Sequence, residues 1–211
     1  MGAVRVRALE ALDVDVQRGE FLILQGPSGS GKTTLINLLG LLDRPDAGSL
    51  LLDGRSVGEM DENARADLRR DRFGFVFQTF NLVPVLTALE NVEYPLGLRR
   101  EPRAAMRARA QAVLARVGLT GREELRPDLL SGGERQRVAL ARAVVHEPEV
   151  VFADEPTAHL DSQATASVLE LMQELCDERH VAFVVATHDP RVVARGHRVL
   201  TLRDGRTVVD S

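Results

Sequence analysis

The chain has 211 residues, of which 44% are hydrophobic and 27% are charged, and its formal net charge is −4. This length fits one domain, and the composition is that of an ordinary globular protein. The mildly acidic charge disfavours a nucleic-acid partner, and no apolar run approaches the roughly 20 residues of a membrane-spanning helix. The single cysteine, Cys176, excludes an internal disulfide. The first residues lack the apolar core of a secretory signal, so we expect a cytoplasmic protein.

The N-terminal third predicts strands that alternate with helices. Alternation of Leu12, Val14 and Val16 indicates an early strand, and the apolar run at 21–24 indicates a buried one. An apolar stretch at 35–39 has the length of a helix segment. Further predicted elements are a strand at 50–52, an exposed helix at 61–72 and a strand at 73–77.

The rest of the chain predicts a helical block followed by more strands. Residues 87–145 read as helical, including an alanine- and arginine-rich helix at 103–117. The elements that follow are strands at 150–153, 181–185, 198–202 and 207–209, with a helix at about 161–178. Strands at both ends with helices in the middle predict an α/β core split by a helical insertion.

A glycine-rich segment at 26–34, Gly-Pro-Ser-Gly-Ser-Gly-Lys-Thr-Thr, matches the phosphate-binding pattern G-x-x-x-x-G-K-[ST] between a strand and a helix. Backbone N–H groups of such a loop surround a polyphosphate, and the helix N-terminus favours negative charge there. Lys32 is the only lysine among 27 basic residues, which indicates a site that arginine cannot serve. The predicted phosphate-binding residues are Gly26, Pro27, Ser28, Gly29, Ser30, Gly31, Lys32, Thr33 and Thr34.

Two carboxylates end the apolar strand at 150–153. An acid at such a position, near a phosphate loop, helps to bind Mg²⁺, and Asp154 is the candidate. Glu155 projects beyond it and could deprotonate a water that attacks the γ-phosphate. His188 follows the strand at 181–185, where open α/β sheets bind ligands, although a lone histidine is more often structural.

A second element suited to anions lies at Leu-Ser-Gly-Gly-Glu, residues 130–134. Ser131 is a good helix N-cap, and Gly132 and Gly133 expose backbone N–H groups at the start of an amphipathic helix. An ordinary capped helix with a flexible start explains this segment equally well.

Taken in order, these motifs resemble those of a known family. They are the phosphate loop, Gln78 after an aromatic strand, Leu-Ser-Gly-Gly-Glu, Ala-Asp-Glu-Pro, Leu160-Asp161 and Thr-His-Asp. From about residue 8 to residue 207, the chain resembles the nucleotide-binding subunit of ATP-binding cassette (ABC) transporters. Segments 71–84 and 86–92 look like the lipoprotein-release and macrolide-export branch.

The resemblance implies a single domain with a P-loop core at 1–78 and 145–211 and a helical subdomain at 79–144. The implied core is a mixed, mainly parallel sheet with helices and a small N-terminal antiparallel β part. We expect that part to be truncated, because residues 2–7 read as half of a hairpin and residues 1–20 contain no aromatic residue to stack on adenine. His159 is unusual for the family.

The resemblance also implies a mechanism. Two copies form a head-to-tail homodimer, and Ser131, Gly132, Gly133 and Glu134 of one copy cover the ATP held by the phosphate loop of the other. The implied Mg²⁺ residues are Thr33, Gln78 and Asp154. Glu155 is the implied general base, His188 contacts the γ-phosphate, and Asp161 lies at the partner contact. The helical subdomain moves a membrane permease, which places the chain peripherally on the inner membrane face.

Two alternatives remain open from the sequence. The first is a non-transport ABC ATPase acting in DNA repair or translation, although such chains usually carry long insertions or two cassettes. The second is a small-molecule kinase, which would leave residues 130–134 unexplained.

Overall fold

A computed structural model describes residues 7–158 and 160–208. The strands are β1 Phe21–Gln25, β2 Leu51–Leu52, β3 Arg55–Ser56, β4 Phe73–Val76, β5 Val150–Asp154, β6 Ala182–Ala186, β7 Arg198–Arg203 and β8 Arg206–Val208. The helices are α1 Lys32–Leu39, α2 Glu62–Arg72, α3 Ala88–Leu98, α4 Arg103–Arg116, α5 Gly132–Val144, α6 Ser162–Arg179 and α7 Pro190–Val193, with a short 3₁₀ helix at Pro127–Leu129.

Six strands form the main sheet in the order β4-β5-β6-β1-β7-β8. The first five are parallel to one another, and β8 pairs antiparallel with β7. The paired strands β2 and β3 make a separate small antiparallel sheet in the N-terminal third of the chain. This is the mixed, mainly parallel α/β fold expected from the sequence.

The central strands are buried on both faces, as continuous apolar runs in a parallel sheet predict. Side chains alternate between two core clusters: Phe21 and Ile23 pack on one face, and Leu22 and Leu24 pack on the other. The first face is covered by α3–α6 and the second by α1 and the β2–β3 sheet. Burial on both faces fixes the register of the sheet, and with it the position of each strand end.

The helical insertion predicted from the sequence is present. Strands β4 and β5 are neighbours in the sheet, yet helices α3, α4 and α5 lie between them in the chain. Among the helices of residues 7–158 and 160–208, none is both long enough and apolar enough to cross a bilayer.

One predicted strand is wrong. The segment with Leu12, Val14 and Val16 forms no strand, and all three side chains are partly buried against the second core cluster. The alternation of apolar and polar residues therefore reflects burial of one side of this segment and not hydrogen bonding to a neighbouring strand. The predicted truncation of the N-terminal β part falls on the first six residues, which lie outside the described residues, as does His159.

Candidate functional site

The carboxyl ends of β1, β4, β5 and β6 meet at one edge of the sheet because the four strands are parallel. Register pairs Leu24 with Ala186 and Ala186 with Asp154, so β1, β6 and β5 end side by side. The phosphate loop follows β1, and Gln78 follows β4 with an exposed side chain. Open α/β sheets bind ligands at such an edge.

Only glycine fits two positions of the phosphate loop. A Cβ on Gly26 would lie 2.1 Å from the Leu202 carbonyl oxygen, and a Cβ on Gly31 would lie 2.5 Å from Leu9 Cδ2. Both residues also have positive φ, 149° and 104°. The Gly205 N–H donates to the Ser30 carbonyl oxygen at 3.1 Å, so the β7–β8 turn supports the loop from behind.

Lys32 opens helix α1 and lies inside the loop. Its Nζ donates to the carbonyl oxygens of Gly26 at 2.8 Å and Pro27 at 3.0 Å. Gly31, the N-cap of α1, has no side chain to occupy the first N–H groups, which leaves them available to an anion. In the part of the chain that the structure describes, the buried Ser30 Oγ also has no hydrogen-bond partner. These groups fit a polyphosphate.

A hydroxyl and a carboxylate meet beside the loop. Thr33 Oγ1 donates to Asp154 Oδ2 at 2.8 Å, and Asp154 is the last residue of β5, as the sequence predicts. Oxygen donors of these two kinds are the ligands that Mg²⁺ prefers, so the pair fits a Mg²⁺ ion bound to phosphate.

Glu155 turns away from the strand in a left-handed conformation, with φ of 47°. Its N–H donates to the Ala186 carbonyl oxygen at 2.8 Å, which ties the turn to the end of β6. Its Oε1 lies 2.6 Å from His188 Nδ1, and its Oε2 accepts a hydrogen bond from Thr187 Oγ1 at 3.1 Å. The Glu155 side chain is 14% exposed and that of His188 is 79% exposed. The structure thus brings both predicted residues together and holds the carboxylate from two sides.

Sequence reasoning missed Thr187. Besides its bond to Glu155, Thr187 Oγ1 accepts from the Asp189 N–H at 3.0 Å. Asp189 in turn accepts from Thr157 Oγ1 and pairs with Arg191, whose hydrogen bond lowers the pKa of Asp189. The available signal was the position of Thr187 directly after β6, next to His188.

The residues around 131 lie in a different place, an open groove of about 750 Å³ between α5 and α6. Ser131 Oγ accepts from the Glu134 N–H, and a Glu134 carboxylate oxygen accepts from the Ser131 N–H at 2.8 Å, which completes a capping box. The hydrogen bond from the Ser131 backbone is the largest cause that lowers the pKa of Glu134, and Arg122 contributes to the shift. Asp161 caps α6 by accepting from the Ala164 N–H at 2.7 Å.

The predicted site residues therefore fall into two groups. The phosphate loop, Asp154, Glu155 and His188 lie at the sheet edge. Ser131, Gly132, Gly133, Glu134 and Asp161 line the α5–α6 groove, and no phosphate-loop residue is among the groove's described lining residues. A Cβ on Gly133 would meet Ala164 Cβ at 3.3 Å, so the groove is built on close helix packing.

Residues 9–158 match the sequence model of the ABC transporter family. The chain is 49% identical over 205 residues to the macrolide export ATP-binding/permease protein MacB 1/2 of Paracoccus denitrificans, covering 97% of this chain and 30% of that protein. It is 47% identical over 210 residues to the lipoprotein-releasing system ATP-binding protein LolD of Chromohalobacter salexigens, covering 100% of this chain and 89% of that protein. The chain thus spans about a third of the export ATP-binding/permease proteins and most of LolD.

Solved structures agree with this match. The dimeric structure of MJ0796, described as a bacterial ABC transporter cassette, has a TM-score of 0.94 at 39% identity, covering 99% of this chain and 92% of that one. The same cassette in a post-hydrolysis state bound to ADP and Pi matches equally well. The fold, the phosphate loop and the relatives agree, and the chain belongs to the ABC transporter family.

Proposed function

We propose that this cassette hydrolyses MgATP at two sites, each formed between two copies of the chain, and drives a permease of the lipoprotein-releasing or macrolide-exporting type. The observation that carries the proposal is the separation of the sheet edge from the α5–α6 groove. One chain holds two groups of phosphate-suited residues that line different surfaces. A head-to-tail pair of chains would place the groove of each copy over the sheet edge of the other.

Residues at the sheet edge have distinct roles in this proposal. The loop N–H groups and Lys32 bind the ATP phosphates, while Thr33, Asp154 and Gln78 hold Mg²⁺, directly or through water. When bound, Mg²⁺ neutralises charge on the phosphate oxygens.

Glu155 takes the proton of the water that attacks the γ-phosphate. His188 and Thr187 fix the orientation of that carboxylate through the two hydrogen bonds described above. The exposed His188 ring also faces solvent, from which the γ-phosphate would approach. A base held in this way contributes roughly 10²–10⁴-fold to the rate.

The α5–α6 groove supplies the partner's half of each site. Gly132 and Gly133 offer N–H groups at the N-terminus of α5, and Asp161 lies beside them at the N-terminus of α6. A kinase would have no use for this groove, and similarity to export and lipoprotein-releasing proteins favours transport over DNA repair or translation.

The permease would dock on the side of the helical insertion. Residues 79–96, at the start of this insertion, are partly exposed: Leu82, Val83 and Leu86 are half-buried, whereas Val85 and Tyr94 are exposed. A groove of about 270 Å³ lies beside Tyr94, lined by Phe75, Phe77, Tyr94, Leu98, Arg69 and Arg142 among others. Exposed apolar surface of this kind marks an interaction site. Docking there would hold the chain on the inner face of the membrane.

The hydrolytic part of the proposal is tested by phosphate release from ATP. We expect Thr33→Val and Asp154→Asn to lower the Mg²⁺-dependent rate at least about 100-fold, because each removes an oxygen ligand from the metal site. Exposed Thr120→Val and Asp128→Asn are matched controls that should keep the wild-type rate. Full activity of Asp154→Asn would remove that carboxylate from the metal site.

The docking part is tested by capture of the permease from detergent-solubilised membranes. Tyr94→Ala should lose capture, because it removes an exposed aromatic ring from the groove. Leu51→Ala, at an exposed position of the β2–β3 sheet, is the control and should retain it. Equal capture by both variants would place the docking surface elsewhere.

A further inference from the structure

The chain reverses direction directly after Gln78. Phe80 and Asn81 are consecutive non-glycine residues with positive φ, 62° and 46°. The turn is closed by hydrogen bonds from the Phe80 N–H to the Phe77 carbonyl oxygen and from the Asn81 N–H to the Thr79 carbonyl oxygen. The left-handed conformation is unfavourable for residues that carry a Cβ, so the surrounding structure must hold this turn in place.

Arg142 holds the turn from helix α5. Its Nη2 donates to the Phe80 carbonyl oxygen at 2.9 Å, and its Nη1 donates to the Asn81 carbonyl oxygen at 2.5 Å. The rigid guanidinium fork thereby fixes two successive peptide groups at once. Within residues 7–158 and 160–208, no ion pair with a carboxylate competes for Arg142.

A second contact comes from the same face of α5. The guanidinium carbon of Arg135 lies 5.2 Å from the centre of the Phe80 ring, within range of a cation–π interaction. Arg135 and Arg142 are seven residues apart, which places them on one side of the helix. Helix α5 therefore contacts both the side chain and the backbone of the turn.

The other end of α5 is the capping box at Ser131. Arg142 lies eleven positions after Ser131, which corresponds to about 16 Å of helix. Helix α5 thus connects two places in one chain. The residues proposed to cover the partner's ATP lie at its N-terminus, and the turn that follows Gln78 lies against its C-terminal part. Its buried face, including Val138 and Leu140, packs into the core.

We propose that Arg142 is a positioning residue: through the turn at 79–81 it sets the location of Gln78, and it links that location to the N-terminus of α5. This inference rests on the proposed role of Gln78 at the ATP site. A displacement of α5 when the partner's ATP binds at Ser131 would move Gln78 of the same chain, so the two ATP sites of a dimer would communicate through α5.

A double-mutant cycle on the rate of phosphate release tests this link. We expect Gln78→Ala and Arg142→Met each to lower the rate about 10-fold, and the double variant to be no slower than Gln78→Ala alone, because both changes disturb the same group. The matched control is Arg65→Met, which removes a buried arginine that donates to the carbonyl oxygens of Leu41 and Asp43. In a double variant with Gln78→Ala, the fold-reductions in rate that the two changes cause separately should multiply.

Multiplicative effects of Arg142→Met and Gln78→Ala would overturn the proposal, as would a wild-type rate for Gln78→Ala. If Arg142 only stabilised the fold, the effect of Arg142→Met would multiply with that of Gln78→Ala, as is expected for Arg65→Met. Arg142→Lys retains the charge but reaches one carbonyl, so it should fall between wild type and Arg142→Met. It also serves as the second variant if Arg142→Met does not fold.

Amide hydrogen exchange provides a readout that does not depend on hydrolysis. In Arg142→Met or Arg142→Lys, the amides of 79–81 should exchange faster, while the Val83 amide, bonded to Asn91 Oδ1, should not change. Unchanged exchange at 79–81 would overturn the proposal. A wild-type chain that hydrolyses no ATP would contradict the proposed function, and the exchange measurement would still decide whether Arg142 holds the turn.

Discussion

The proposed role of Lys32 in ATP binding depends on the shape of its side chain as well as on its charge. Its ammonium lies against the carbonyl oxygens of Gly26 and Pro27 inside the loop. A planar guanidinium has a wider head and a fixed fork of donors, and it cannot occupy the same space. We expect Lys32→Arg to weaken ATP binding at least about 10-fold, or about 1.4 kcal/mol, in a nucleotide titration. Arg55→Lys, at an exposed position, should bind as wild type; unchanged binding in Lys32→Arg would mean that charge alone suffices.

At the residue scale, the sequence singled out side chains that the structure brings together, but it did not predict how they contact one another. Thr33 and Asp154 were both predicted to bind the same Mg²⁺ ion, and Thr33 Oγ1 lies 2.8 Å from Asp154 Oδ2. Glu155 and His188 were chosen separately, and their hydrogen bond was not predicted. That bond depends on the register of β5 and β6, which couples positions 33 residues apart in the chain. Thr187 was missed because its only signal was its position directly after β6 and next to His188.

At the element scale, Asn91 on α3 organises the segment that precedes the helix. Its buried amide donates to the carbonyl oxygens of Val83, Leu86 and Thr87, and its Oδ1 accepts from the Val83 N–H. Asn91→Leu removes the acceptor of the Val83 N–H and the amide donor of the Leu86 carbonyl oxygen, so we expect a loss of roughly 2 kcal/mol or more in the free energy of unfolding. Urea denaturation measures it. Exposed Asn63→Ala should change stability by no more than about 0.5 kcal/mol, and an equally small effect at Asn91 would refute this role.

The capping box of α5 predicts a pH dependence. Hydrogen bonds from Ser131 hold the pKa of Glu134 below its usual range. A depressed folded-state pKa stabilises the fold above the ordinary glutamate pKa of about 4.3, and this contribution is lost as the pH falls through the folded value. Thermal unfolding between about pH 6 and pH 3 should therefore show a larger fall in Tm for wild type than for Glu134→Gln, which keeps an acceptor but does not titrate. Parallel curves would contradict this.

The elements that the sequence predicted best are those buried on both sides. The strands at β1, β5 and β6 agree with their apolar runs within one residue at each end. The strand predicted around Val14 failed because alternation reports burial of one side and cannot distinguish a paired strand from an extended segment. The four-residue helix α7 and the two left-handed residues after Gln78 were not predicted, since both depend on tertiary contacts.

At the scale of the whole molecule, the proposal gives each chain two half-sites: the sheet edge with the phosphate loop, and the α5–α6 groove. None of the described residues that line the groove belongs to the phosphate loop. Hydrolysis should therefore require association of two chains. We expect the specific rate of phosphate release to rise with protein concentration, and a rate independent of concentration down to the nanomolar range would favour a complete site in one chain.

The central claim is that ATP is bound between two copies of the chain and hydrolysed with Glu155 as the base. Light scattering on Glu155→Gln with MgATP tests it most directly, because the amide keeps the shape of the carboxylate but cannot take a proton. We predict a dimer with ATP, a monomer without it, and phosphate release reduced at least about 100-fold. Adding Ser131→Arg, which fills the groove, should abolish the dimer. A Glu155→Gln variant that binds ATP as a monomer, or that hydrolyses it at the wild-type rate, would contradict the account.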